Sequence, residues 1–157
     1  MILITVGTHY QPFERLVKAG DEYAATTDER VVIQRGFTPY ECKHAESFDF
    51  CQKDKMSKLM EEADVLVMQG GWGALREAID DGKRIVAVPR IEGVEHVHDQ
   101  EQVVRKLESE GCVLAVYDIK DLPAMIEKAK THIFKPLKHG NADIIEVTLE
   151  KWFPDSN

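Results

Sequence analysis

The tightest constraint on the fold of this chain lies in residues 65–102. An apolar run at 65–68 stops at Gly70-Gly71-Trp72-Gly73. A helical pattern then starts, with Glu77 early on its exposed face. A second apolar run, 85–88, ends in Pro89. A polar loop follows, and Asp99-Gln100 opens the next helical stretch. The order is strand, glycine turn, helix, strand, loop, helix. Such a unit puts backbone N–H groups at a helix N-terminus with little side-chain bulk in the way. Phosphate groups of a nucleotide diphosphate are held in this manner.

The flanking segments repeat the alternation. Residues 2–6 are apolar and β-branched and read as the first strand, with Gly7-Thr8-His9 as the turn after it. Pro12 suits a first helical position, where its missing N–H costs nothing. Phe13, Leu16, Val17, Gly20 and Ala24 then share one helical face. Residues 31–34 read as a second strand leaving through Arg35-Gly36, 37–47 as irregular, and 48–51 as a short third strand. Met56, Leu59, Met60 and Ala63 suit a short helix. Val103, Val104 and Leu107 make another helix face, and 112–116 a strand. Leu122, Met125, Ile126 and Ala129 line a further helix, and Ala142, Ile145, Leu149 and Trp152 a last one over 141–152. The expectation is an α/β fold, a single domain with a mostly parallel sheet covered by helices on both faces. Ligands of such sheets bind outside the carboxyl ends of the strands. The turns at 7–9, 35–36, 69–73 and 89–100 should therefore meet at one edge.

Composition narrows the partners. With 157 residues, 43% hydrophobic and 31% charged, the chain can bury a core. Its net charge of −8 argues against a general nucleic-acid binder, since no basic surplus neutralises phosphates, but leaves room for a local basic pocket. Three cysteines, Cys42, Cys51 and Cys112, lack metal-ligand spacing and read as reduced thiols of a cytoplasmic protein. Met1 leads directly into the first strand, so no signal peptide is expected, and no apolar run approaches the roughly 20 residues that span a bilayer.

Gly71-Trp72, Glu77, Pro89 and Asp99-Gln100 are spaced as in the nucleotide-sugar signature of GT-B glycosyltransferases, and the opening ITVGTHYQPFERLVKA resembles a narrower group. That group holds the small donor-binding subunits of split GT-B enzymes. Among them are the catalytic subunit of the dolichol-linked N-acetylglucosamine transferase and bacterial exopolysaccharide subunits that resemble the C-terminal half of MurG. The resemblance implies a Rossmann-like half-enzyme that holds a UDP-sugar. A separate, membrane-anchored chain would hold a lipid-linked acceptor. It implies a hexose-type sugar, a chain inactive without its partner, and recruitment to the inner face of the membrane. Carried over by position, Glu77 takes the ribose hydroxyls, and Gly70, Gly71, Trp72 and Gly73 with the following helix take the pyrophosphate. Asp99 and Gln100 take the sugar hydroxyls, and Gly7, Thr8 and His9 border the cleft. Two features depart from the group. Many relatives carry a histidine where Gln69 stands, and the EHVHDQEQ segment admits a second register that moves the sugar contact towards Glu101 or Gln102. No catalytic base is implied here, because in this architecture the other half supplies it. No cofactor or metal is expected.

Plainer readings stand beside these. A Gly-Gly-x-Gly can be only a tight turn, and Glu77 only a solvated helix residue. Trp72 is better read as packing under the turn than as stacking on a ligand. His96 and His98, with Glu92, Glu95 and Asp99, suggest a metal site only weakly, since no third ligand sits at a helical spacing. Trp152 and Phe153 read either as a docked C-terminal helix or as an anchor for the other half. A nucleotide-sugar sensing module without transferase activity, or a UDP-sugar hydrolase or epimerase, are the alternatives in function.

Overall fold

Residues 2–4, 31–34, 65–68 and 85–88 are buried at every position, as strands covered on both faces must be. The computed structural model describes residues 1–95, 99–138 and 145. Its elements are β1 (Ile2–Thr5), α1 (Glu14–Ala24), β2 (Val31–Gln34), β3 (Glu46–Phe48), α2 (Lys53–Glu62) and β4 (Val65–Gln69). They continue with α3 (Trp72–Asp80), β5 (Ile85–Val88), α4 (Glu101–Ser109), β6 (Leu114–Ala115), a 3-10 turn at Ile119–Asp121 and α5 (Leu122–Ala129). The strands form one parallel sheet in the order β3-β2-β1-β4-β5-β6.

Side chains alternate across each strand and so feed two cores. Ile2 and Ile4 join Phe13 just before α1, Leu16 and Val17 of α1, and Leu122 and Ile126 of α5. Leu3 joins Leu59 of α2, Leu75 of α3, and Val104 and Leu107 of α4. Gly20 lets α1 lie close on the sheet, since a Cβ there would stand 2.5 Å from Ile4 Cδ1. The α/β fold with helices on both faces is thus as the sequence indicates. The chain winds one way from β1 to β3 and the other way from β4 to β6. This opens a crevice between β1 and β4 at their carboxyl ends.

The boundaries differ in places, each for a local reason. α1 begins at Glu14 rather than at Pro12. The Phe13 N–H donates to Thr38 Oγ1 at 2.9 Å, and the Pro12 carbonyl accepts from Arg90, so both are drawn out of the helix. β3 starts two residues earlier than expected and ends at Phe48. Buried Asp21 sets this start by accepting the N–H groups of Lys43, His44 and Ala45 at 2.8–3.1 Å, which lays the connector against α1 and delivers Glu46 to the sheet. β6 is only two residues long, although residues 112–116 are all buried. The expected helix over 141–152, the aromatic pair Trp152 and Phe153, and His96 and His98 lie outside the described residues. Ile145 alone of that stretch is described; it is helical and packs with the core of α2, α3 and α4. No helix among the described residues is long and apolar enough to cross a membrane.

Candidate functional site

β1 pairs with β4, Thr5 opposite Met68, so the turns that follow them lie side by side. Because all strands are parallel, the segments 7–9, 35–36, 69–73 and 89–95 emerge at one edge with them, as expected. At the centre of this edge is the start of α3. Its N-cap is Gly71, and no side chain caps it. The first N–H groups of a helix have no partner within it, and together with the macrodipole they attract an anion.

The three glycines of the turn do different work. Gly70 is a packing residue: a Cβ on it would lie 2.8 Å from Gln100 Cβ and 2.9 Å from Val104 Cγ2, so its absence lets α4 approach β4. Gly71 gives the extended N-cap, at φ −69° and ψ 124°. Gly73 faces open space, with nothing within 4 Å of where its Cβ would be. Glu77 is exposed one helical turn further on, and residues four apart share a face. Gly73 and Glu77 therefore form one open strip leading from the N-terminus of α3. Trp72 packs partly buried on the core of α2, α3 and α4, with the Arg76 guanidinium 6.0 Å from its ring centre.

Asp99 and Gln100 are both drawn into the fold. The side-chain oxygen Oε1 of Gln100 accepts the N–H groups of Gly70 and Arg90, each at 3.0 Å, and the residue is only 5% exposed. It ties the end of β4 to the end of β5. Its Nε2 end donates no hydrogen bond among the described residues. Asp99 is half-buried and accepts from the Glu101 N–H and from Gln102 Nε2, both at 2.9 Å, closing the first turn of α4. Gln102 and Glu101 of the alternative register are exposed.

The residue that organises the edge is Arg90, which the sequence reading passed over. It is 2% exposed. Its Nη1 donates to the carbonyls of Gln11, Pro12 and Glu95, its Nη2 to that of Val6, and its Nε to Gln69 Oε1. Its guanidinium lies 4.7 Å from the Phe13 ring centre. One side chain thus joins the loops after β1 and β5 to the last residue of β4. Burial pulls its pKa down to about 10, against the attraction of Glu95, so it stays charged at neutral pH. The Glu95 carboxylate is itself engaged elsewhere, accepting from Arg15 Nε and Nη2 and from the Ile91 N–H. Arg15 thus pairs with this carboxylate, and no side-chain carboxylate among the described residues touches the buried Arg90 guanidinium. The available signal was an arginine directly after the buried strand and Pro89.

Gly7 sits at φ +74° beneath Gln69. Its N–H and carbonyl are both held by Gln34, whose Oε1 also accepts from Thr5 Oγ1 and Val6 N–H. Thr8 is exposed. His9 is half-buried, accepts the Gln11 N–H through Nδ1 at 3.1 Å, and stacks on Tyr10. Beside α4, Arg15, Arg90, Ile91, Asp99, Glu101 and Tyr117 line a cavity of ≈ 270 Å3. Tyr10, Phe37, Phe50, Ile91, Val94 and Tyr117 are exposed, and each follows the carboxyl end of a strand. Among the described residues no cluster of His, Cys, Asp and Glu suits a metal ion.

The comparisons agree with this fold. The structure is similar to the glycotransferase of kitacinnamycin, with a TM-score of 0.66, 19% identity, and coverage of 93% of this chain and 37% of that one. It is similar to MurG of Acinetobacter baumannii at a TM-score of 0.56 and 16% identity, covering 96% and 49%. It is similar to the spinosyn forosaminyltransferase SpnP at 0.59 and 14%, covering 95% and 39%. At such identities the likeness is one of fold. The chain spans less than half the length of these proteins. No curated protein matches the sequence. Residues 1–147, nearly the whole chain, match the glycosyltransferase family 28 C-terminal domain, and the chain belongs to that family.

Proposed function

We propose that this chain is the donor-binding half of a two-component glycosyltransferase. It holds a UDP-sugar, and a second, membrane-anchored chain brings a lipid-linked acceptor. The observation that carries the reading is the uncapped start of α3 at the strand-order switch, with Gly73 and Glu77 open on one strip. The diphosphate lies against the first N–H groups of α3, and the Glu77 carboxylate accepts the two ribose hydroxyls. The sugar reaches Asp99 and the Nε2 end of Gln100, with Thr8 and His9 on the opposite wall. When the glycosidic bond to UDP breaks, negative charge grows on the leaving phosphate. The α3 N–H groups and the Arg90 charge are already in place to stabilise it, without reorganisation. The acceptor hydroxyl needs a general base, which belongs to the other half.

The apolar rim at the same edge favours an incomplete site over a self-sufficient sensor. Tyr10 and Val94 are 66% and 74% exposed there. A covering half would bury them. The test is transfer of labelled sugar from a panel of UDP-sugars into lipid. Transfer should need both the purified chain and the membranes that contain its partner. Transfer to a lipid acceptor by this chain alone would overturn the half-enzyme reading, and release of free sugar by it alone would favour a hydrolase.

A further inference from the structure

Resting on the donor-site reading, we infer that Arg90 is a positioning residue that acts through Gln69. By taking the Gln69 carbonyl oxygen it makes Gln69 Nε2 a fixed donor to the diphosphate at the start of α3. The argument begins with chemistry. An arginine Nε–H can only donate, so the Gln69 atom that meets it must be the oxygen. The usual ambiguity between the two ends of a carboxamide is thereby removed. The amide end then points the other way, into the crevice between the turns after β1 and β4. It lies over Gly7, where a Cβ would stand 2.3 Å from Nε2, and a Cβ on Gly71 would stand 3.7 Å from it. Nε2 has no hydrogen-bond acceptor among the described residues and is not one of the buried orphaned atoms. It is an oriented donor, open to the crevice, beside the uncapped N-cap of α3.

Arg90 cannot make this contact itself. All three of its nitrogens are turned onto oxygens of the protein, so its charge reaches a ligand only at long range. The direct donor is neutral, and its aim is fixed by a cation that never touches the ligand. Gly7 belongs to the same device, since any side chain there would displace the amide.

A donor aimed at a phosphate oxygen should matter for UDP and not for uridine, so both are titrated calorimetrically. Gln69→Glu keeps an oxygen for Arg90 and replaces the donor by a carboxylate oxygen. It should melt at or above the wild-type temperature, because the new charge faces a buried cation. It should lose UDP affinity by about tenfold or more, with uridine binding unchanged. Charge repulsion alone weakens UDP in that variant, so a double-mutant cycle isolates the positioning. Arg90→Lys keeps the charge and loses the Nε–H fork, and Gln69→Ala removes the donor. Each alone should weaken UDP about three- to tenfold, and the double variant should bind no worse than Gln69→Ala. Additive losses overturn the positioning role of Arg90. Unchanged UDP affinity in Gln69→Glu and Gln69→Ala overturns the donor role of Gln69, even if Arg90→Lys fails to fold. A wild-type chain that binds no UDP overturns the donor-site reading beneath both.

Discussion

Asp21 and Gln100 show how single polar side chains decide the shape of this edge. Asp21 is buried, and burial by itself pushes its carboxyl pKa up. The N–H groups of residues 43–45 and the Tyr40 hydroxyl outweigh this and hold it below its ordinary value. A carboxyl whose pKa is depressed by folding stabilises the protein above its unfolded pKa, and that contribution fades as pH falls through the folded value. Asp21→Asn should therefore cost about 1–3 kcal/mol at pH 7. The gap to wild type should narrow as pH drops below the ordinary carboxylate range. Urea unfolding of both proteins at pH 7 and near pH 3 measures it; a gap that widens in acid would contradict the assignment. Gln100→Ala leaves the buried N–H groups of Gly70 and Arg90 without an acceptor. It should cost about 2–6 kcal/mol of stability, the sum of two such losses. It should also weaken UDP, because the turn under the diphosphate loosens, and UDP-sugars further, because the proposed Nε2 contact to the sugar is lost with it. Loss confined to UDP-sugars, with an unchanged melting temperature, would return Gln100 to a pure sugar contact.

At the scale of elements, the sequence shows strands and helices well and their joints poorly. Buried four-residue runs such as 31–34 and 85–88 are unmistakable, because every position must be apolar or satisfied. The glycine turn and the exposed place of Glu77 on α3 are legible for the same reason: a local pattern fixes a local geometry. Arg90, Gln34 and Asp21 were not, since each acts across loops distant in sequence, and no spacing within one segment records such a bond. β3 slipped for that reason, its start being set by a carboxylate on α1. The glycines of 70–73 look alike in sequence and differ in space. Gly70→Ala forces Cβ against α4 and should destabilise by about 1–3 kcal/mol. Gly73→Ala meets nothing and gains helix propensity, so it should stabilise by about 0.5–1 kcal/mol. If a diphosphate lies over this strip, the same Gly73→Ala must weaken UDP. Thermal melts paired with UDP titration separate the two effects; a stabilised variant with full UDP affinity would show that the strip is empty of ligand.

For the molecule as a whole, one edge gathers the uncapped helix, the buried cation, the open glutamate and an apolar rim. The other end of the sheet lacks this combination among the described residues. Fold and family membership follow from the strand order and from the match over residues 1–147. The donor, the acceptor and the second half are consequences drawn from the chemistry of that edge. The claim they all depend on is that the edge binds a nucleoside diphosphate through α3 and Glu77. Isothermal titration of UDP into the wild-type chain and into Glu77→Ala tests it most directly. Glu77 is exposed, and its replacement should leave the melting temperature nearly unchanged. The wild type should bind one UDP per chain, and Glu77→Ala should bind it more weakly by about 1–3 kcal/mol, the scale of lost charge-assisted hydrogen bonds. Equal affinity in the two proteins, or no saturable binding in either, would contradict it.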